Sequence, residues 1–346
     1  MASFIDIHHH FFTPEFSASK ADASAKVGWR APKENLPWTP ELSIKAMNAI
    51  GVQAALLSFP ALPSGEISAE NRALARRRND YVAGICREYP DRFGFFATLP
   101  FLDDVQGVLE EITHAFDVIG ADGISMSSSY GEGATTTYVG DEKYNAIWAE
   151  LDRREAVVFV HGNQIPSTNP WPHSTLGLPV CEVPSETFKA AAHLVVTGCK
   201  RRFPRVKIIL AHLGGSTPFL ASRVAILSRY MGCELTEEEI LHDFRSFYYD
   251  TALSAWGPTL TAMDNLVPHT RILFGTDFPA LLIAVTTKMT NWFTQQVKSH
   301  YETKPEDKEK LKAIVRNNAL DMFPRLRGRI LATKKVDETQ RIHYML

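Results

Sequence analysis

The sequence predicts a (β/α)₈ barrel with insertions. Two patterns carry this reading. Eight short apolar runs alternate with longer amphipathic stretches, and histidine or carboxylate follows four of those runs. The chain has 346 residues, which accommodates such a barrel, typically about 250 residues, together with long insertions.

The apolar runs cover residues 3–7, 54–59, 93–99, 123–126, 157–160, 207–210, 247–249 and 272–274. They are rich in Val, Ile, Leu and Phe, as strands buried on both faces must be. Helical periodicity fills the gaps. The first such stretch, 40–50, follows Thr39 as a candidate N-cap, and the second, 68–89, runs to a stop at Pro90. Further helices are expected over 104–119, 141–154, 185–203, 218–230, 237–244, 257–266, 284–300 and 306–322. Alternating strands and helices imply a parallel sheet, and right-handed crossovers close it into a barrel. An open doubly wound sheet is the architectural alternative.

Two stretches exceed a minimal barrel. Residues 13–39 follow the first strand and contain Trp29, Arg30 and Trp38. Residues 162–184 follow the fifth strand and carry Pro166, Pro170, Pro172, Pro179 and Pro184. Both read as long loops leaving the C-terminal ends of strands, the rim where barrel active sites lie. The tail, 325–346, reads as a polar helical extension, either a frayed end or an arm onto another subunit. No repeat or composition break divides the chain, so residues 1–346 form one domain.

Composition excludes several classes. A formal net charge of −2 leaves no global basic field for nucleic acid. The basic runs Arg76–Arg78 and Lys200–Arg202 fit solvated helix surface. Cys86, Cys181, Cys199 and Cys233 form no C-x-x-C pair and suit thiols in a reducing compartment. The N-terminus places Asp6 and three histidines where a signal sequence needs apolar residues. No run of apolar residues is long enough to span a membrane. A cytoplasmic protein is the expectation.

Chemistry gathers at the strand ends. His8-His9-His10 follows the first strand, His161 the fifth, His212 the sixth and Asp277 the eighth. In an H-x-H pair, His8 and His10 project to the same side, because side chains alternate along a strand. Imidazoles plus one carboxylate suit a single divalent metal with an open position for water or substrate. His8, His10, His161 and Asp277 are the candidate ligands. Zinc leads on ligand preference, with manganese and magnesium as alternatives. The rival templates are missing: there is no G-x-S-x-G elbow, P-loop, G-x-G-x-x-G or H-E-x-x-H.

These motifs resemble a known family. IDIHHH, VFVHGN, FPRVKIILAHLGGSTPFLASR and RILFGTDFP are similar to the amidohydrolase superfamily. The H-x-G-G-x-x-P-F-x-x-x-R run from His212 to Arg223 and the G-T-D-F-P run from Gly275 to Pro279 are the most specific pieces. With Trp38-Thr39-Pro40-Glu41 and Met47, they resemble the branch of metal-dependent decarboxylases acting on aminocarboxymuconate semialdehyde and on ortho-hydroxybenzoates. YYDTALSA and CEVPSETFKAAAHLVVTG resemble, within that branch, the 6-methylsalicylate decarboxylases of fungal polyketide pathways.

The resemblance implies roles. His8, His10, His161 and Asp277 match the metal ligands, and His212 matches a histidine beside the metal-bound water or substrate. Arg223 matches an arginine that reaches across a dimer to the substrate carboxylate, so a homodimer or higher homo-oligomer is implied. Arg30 lies near a second substrate-binding arginine, although its spacing to Trp38 departs by about one residue. Several hydroxybenzoate decarboxylases begin with E-x-H, whereas this chain has H-x-H. Binuclear relatives carry a lysine after strand four, and GISMSSSYG has none, so one metal is expected.

The activity implied is non-oxidative loss of CO₂ from an ortho-hydroxylated aromatic acid, such as 6-methylsalicylate giving m-cresol. Asp277 is the candidate proton donor, with His212 orienting or shuttling the proton. Trp171 and Phe278, among loop and ligand residues, are the candidate walls for the aromatic ring. The alternatives are hydrolysis of a lactone, amide or ester, decarboxylation of an acyclic semialdehyde acid, and a non-catalytic metal-binding protein.

Overall fold

A computed structural model of the chain describes residues 3–29, 33–61, 65–131, 133–163, 172–280, 283–302 and 307–343. Eight parallel strands form one sheet in sequential order: β1 (Phe4–His10), β2 (Val52–Ser58), β3 (Phe93–Thr98), β4 (Gly123–Ser127), β5 (Val157–His161), β6 (Lys207–Leu210), β7 (Tyr248–Asp250) and β8 (Ile272–Leu273). The ring closes between the last strand and the first. The Ile7 N–H donates to the Phe274 carbonyl at 3.0 Å, and the Asp277 N–H donates to the His8 carbonyl at 2.8 Å. Each predicted apolar run is a barrel strand, and the closed ring excludes the open sheet. A small antiparallel ribbon, Ser129–Tyr130 against Thr137–Tyr138, was not predicted. Runs of two residues carry too little periodicity to read.

The helices are α1 (Pro14–Lys26), α2 (Pro40–Ile50), α3 (Ala69–Glu88), α4 (Val105–Thr113), α5 (Asn145–Arg153), α6 (Leu178–Val196), α7 (Cys199–Arg202), α8 (Thr217–Tyr230), α9 (Glu237–Ser246), α10 (Gly257–Leu266), α11 (Ile283–Tyr301), α12 (Asp307–Lys312), α13 (Asn318–Met322) and α14 (Pro324–His343). Their starts follow capping chemistry. The Thr39 hydroxyl accepts from the Leu42 N–H, and the Ser68 hydroxyl accepts from the Asn71 N–H. Thr236 and Glu239 form a reciprocal capping box. No described helix is long and apolar enough to cross a membrane.

Three expectations need correction. Residues 13–39 are not an irregular loop, because they contain α1. Thr13 caps it and Pro14 occupies its first turn, where a missing N–H costs nothing. Likewise α6 begins at Leu178 rather than 185, inside the expected loop. Pro179 starts it in the same way, and Pro184 is tolerated within it. The tail is not frayed from its start. Leu326 and Ile330 of α14 are buried with Ala319, Met322 and Phe323 against the barrel interior.

That interior is a packed plug. Ile5, Ile7, Ala54, Leu56, Phe96, Phe159, Ile209 and Leu273 meet inside the ring. Phe96 and Phe159 stack at 5.3 Å, and the edge of Phe323 closes the N-terminal end at 5.7 Å from Phe96. Phe159 also lies 4.9 Å beneath the His8 ring, so the plug is the floor of the site above. Phe159→Ala should lower unfolding free energy by about 3–5 kcal/mol. Urea denaturation of the variant checks this; a loss under about 1 kcal/mol would mean the floor relaxes freely.

Candidate metal centre

The H-x-H pair needs a break in strand periodicity. Ile5 and Ile7 already point into the barrel, so an unbroken strand would turn His8 and His10 outward. The β1–β2 register shifts between Asp6 and His9, and this irregularity redirects both imidazoles inward. The buried Asp6 carboxylate stabilises the break. It accepts from the His8 N–H at 3.1 Å and the Thr276 N–H at 3.1 Å, and it pairs with His9 Nδ1 at 2.9 Å. His9 thus points away, with its Nε2 on the Ser43 hydroxyl at 3.1 Å.

Four buried side chains converge. The ligand-capable atoms of His8, His10, His161 and Asp277 all lie within 4.8 Å of one another. His8 Nε2 and His10 Nε2 are 3.2 Å apart. Asp277 Oδ1 is 3.4 Å from the former and 3.2 Å from the latter. His212 stands alongside, its Nε2 4.0 Å from Asp277 Oδ2.

The tautomers fit a metal. Carbonyl oxygens can only accept, so a ring nitrogen facing one must carry the proton. Nδ1 of His10 faces the Ser58 carbonyl at 3.2 Å, Nδ1 of His161 the Gly162 carbonyl at 2.8 Å, and Nδ1 of His212 the Ala252 carbonyl at 3.0 Å. Their Nε2 lone pairs are left for the centre. His8 Nδ1 faces the Asp250 carboxylate at 3.0 Å, an arrangement that orients a metal-ligating imidazole and raises its basicity.

Without a cation, protons and carboxylates balance the site. Burial disfavours charge on His8, but Asp250 and Asp277 outweigh it and raise the imidazole to about 10. Burial lowers His10. Burial and the neighbouring histidines His212, His8 and His10 hold His161 well below its ordinary value. Burial pushes Asp277 up, yet His8 and His10 win and hold its carboxyl well below the usual range.

The backbone around these groups is strained. His212, Leu213, Leu253 and Asp277 have φ of 57°, 54°, 49° and 61°, a left-handed region that non-glycine residues rarely adopt outside sites that need it. Gly275 permits the approach of β8 to β1, since a Cβ there would sit 2.8 Å from the His8 Cβ.

Above the cluster lies a cavity of about 470 Å³, reached by His10, His161, His212 and Asp277 and walled largely by apolar residues. The two insertions cover it. Trp29 Nε1 donates to the Ala280 carbonyl and Asn35 Nδ2 to the Pro279 carbonyl, each at 3.0 Å. The Leu178 N–H donates to the Val27 carbonyl at 3.0 Å, joining one insertion to the other.

A family model described as Amidohydrolase matches residues 5–325. The chain belongs to the amidohydrolase family. Among amidohydrolase relatives, 6-methylsalicylic acid decarboxylase of Penicillium expansum is 36% identical, covering 94% of this chain and 97% of its own. Gamma-resorcylate decarboxylase of a Rhizobium species is 27% identical, covering 80% and 87%. The solved structure of a 2,6-dihydroxybenzoate decarboxylase complexed with 2,6-dihydroxybenzoate superposes with a TM-score of 0.75 at 25% identity, covering 94% of this chain and 100% of that one.

The remaining expected site residues fall differently. Arg30 and Trp171 lie outside the described residues. Arg223 is exposed on α8, in a groove away from the amidohydrolase centre of its own chain. Phe278 does not line the cavity. It is buried with its ring 4.8 Å from His9, because the turn that delivers Asp277 inward carries the next side chain outward.

Asp250 and Asp6 were missed. Asp250 ends β7 as His161 ends β5, and the strand-end rule applied to YYDT would have found it. Its Oδ1 accepts from the Ala252 N–H at 2.8 Å and the His212 N–H at 3.3 Å, so it orients two histidines. Asp250→Asn should weaken metal affinity about 10–100-fold. Competition with a fluorescent chelator measures this, and unchanged affinity would reduce Asp250 to a structural residue.

Proposed function

We propose that the chain is a metal-dependent, non-oxidative decarboxylase of an ortho-hydroxylated aromatic acid, with 6-methylsalicylate, giving m-cresol and CO₂, as the leading substrate. The observation that carries this reading is a buried three-histidine, one-aspartate cluster opening into an apolar cavity, in a chain similar over nearly its whole length to 6-methylsalicylic acid decarboxylase.

His8, His10, His161 and Asp277 would hold the ion. Zinc fits the imidazole-rich set best, with manganese and magnesium as alternatives. A bound divalent cation would supply Lewis acidity toward the carboxylate and phenol oxygens of the substrate. The protein's own groups handle the proton. Asp277 is ionised before substrate arrives, so its carboxylate can accept the phenol proton. It then returns that proton to the ring carbon bearing the carboxylate. Protonation there lets the carbon–carbon bond break, its electron pair restoring the aromatic ring as CO₂ leaves. The product phenolate takes its proton from solvent by way of His212. Apolar walls and the two covering insertions exclude water, which strengthens every charge interaction within.

A homodimer or higher homo-oligomer is part of this proposal. Phe219, Ile226 and Tyr230 leave α8 with an exposed apolar face beside Arg223, and Met231 extends it just past the helix end. A partner docked there would bring Arg223 toward a neighbouring subunit. Light scattering of the active protein checks it, and an active monomer would refute it.

The functional test is a substrate panel on metal-loaded protein, read by mass spectrometry. Release of m-cresol and CO₂ from 6-methylsalicylate is expected. Opening of lactones or cleavage of esters without CO₂ would replace the proposal with a hydrolase.

A further inference from the structure

The cavity contains a single lysine or arginine among its described lining residues: Lys20, on α1. Its surroundings are unusual for a lysine. The ammonium lies 5.2 Å from the ring centroid of Phe12 and 5.2 Å from that of Phe16. It makes no hydrogen bond or ion pair with any described residue. Burial pulls Lys20 down from its ordinary value, and the one charge opposing this is that of Asp277. Aromatic faces hold a cation in position without neutralising it. A half-buried ammonium with no hydrogen-bonded anion is costly, and a carboxylate entering the cavity would relieve that cost through charge-assisted hydrogen bonds.

We propose that Lys20 is a substrate-positioning residue, an aromatic-walled cation that takes the carboxylate of the incoming aromatic acid above the histidine–aspartate cluster. This rests on the aromatic-acid reading given above. The inference assigns a task to the first insertion. Besides covering the site, α1 brings a fixed positive charge to the largely apolar walls above the cluster.

The contact is made by the bound carboxylate and persists while the ring carbon is protonated, since the carboxylate charge passes into the ring only when the carbon–carbon bond breaks. Lys20 therefore stabilises the bound acid and the protonation transition state alike, and its loss should appear in KM rather than kcat.

The experiment compares two ligands on metal-loaded protein by titration calorimetry: salicylate, an anion, and m-cresol, a smaller neutral phenol. Lys20→Met should weaken salicylate binding at least tenfold and leave m-cresol binding within twofold. Lys20→Arg should retain most of the salicylate affinity. Turnover of 6-methylsalicylate by Lys20→Met should show KM raised at least tenfold with kcat within threefold. Wild-type melting behaviour in both variants establishes that α1 is intact. Equal salicylate affinity in wild type and Lys20→Met overturns the proposal. An equal loss for both ligands does so too, since it would mark a packing role. A wild-type protein that binds neither ligand overturns instead the aromatic-acid reading on which this rests.

Discussion

Asp277→Asn should cut kcat for decarboxylation by at least about 10³-fold, within the range that positioned acid–base groups contribute. Asparagine preserves the shape of the side chain but cannot accept and return a proton. The three imidazoles remain, each with a partner fixing its orientation, so the variant should still take up a metal with reduced affinity. Measuring metal content and CO₂ release on the same sample separates the two roles. A variant that holds metal and turns over near the wild-type rate would remove Asp277 from the proton path. One that binds no metal would leave its ligand role dominant.

His8→Ala should have the second large effect, on the metal and on stability together. His8 sits between two buried carboxylates, 3.0 Å from Asp250 and 3.4 Å from Asp277. Removing it takes away a candidate ligand and leaves two buried negative charges without the cation between them. Breaking a buried charged pair in this way typically costs about 3–5 kcal/mol. The linkage has a definite sign in metal-free protein. The folded-state pKa of His8 is raised from 6.5 to about 10. Its stabilisation is therefore fully present below pH 6.5 and is lost as pH rises through about 10. Thermal melts of metal-free wild type and His8→Ala across that window should converge at the alkaline end. Parallel curves with a constant gap would contradict the ion-triad account.

The barrel was legible because it follows from local rules. Strands covered on both faces must be apolar along their whole length, and capped amphipathic helices must separate them. The candidate ligands were legible for the same reason, since strand ends share one rim. What failed depends on contacts distant in sequence. The helix at Pro14–Lys26 was masked by weak amphipathicity, since it lies over a cavity rather than a core. Lys20 carries no sequence signal of its own, because only the fold sets Phe12 and Phe16 around its ammonium. Phe278 was expected in the cavity by adjacency to Asp277, but neighbours in a strained turn point opposite ways. Pattern alone would orient His8 outward, and only the break at Asp6 turns it in.

Metal stoichiometry linked to activity probes the central claim most directly. Chelator-stripped protein, measured by elemental analysis, should contain less than a tenth of an equivalent and release no CO₂ from 6-methylsalicylate. Adding one equivalent of zinc, manganese or magnesium per chain should restore the rate with one of them, and His161→Ala should not recover. Undiminished turnover by the stripped protein would contradict the account.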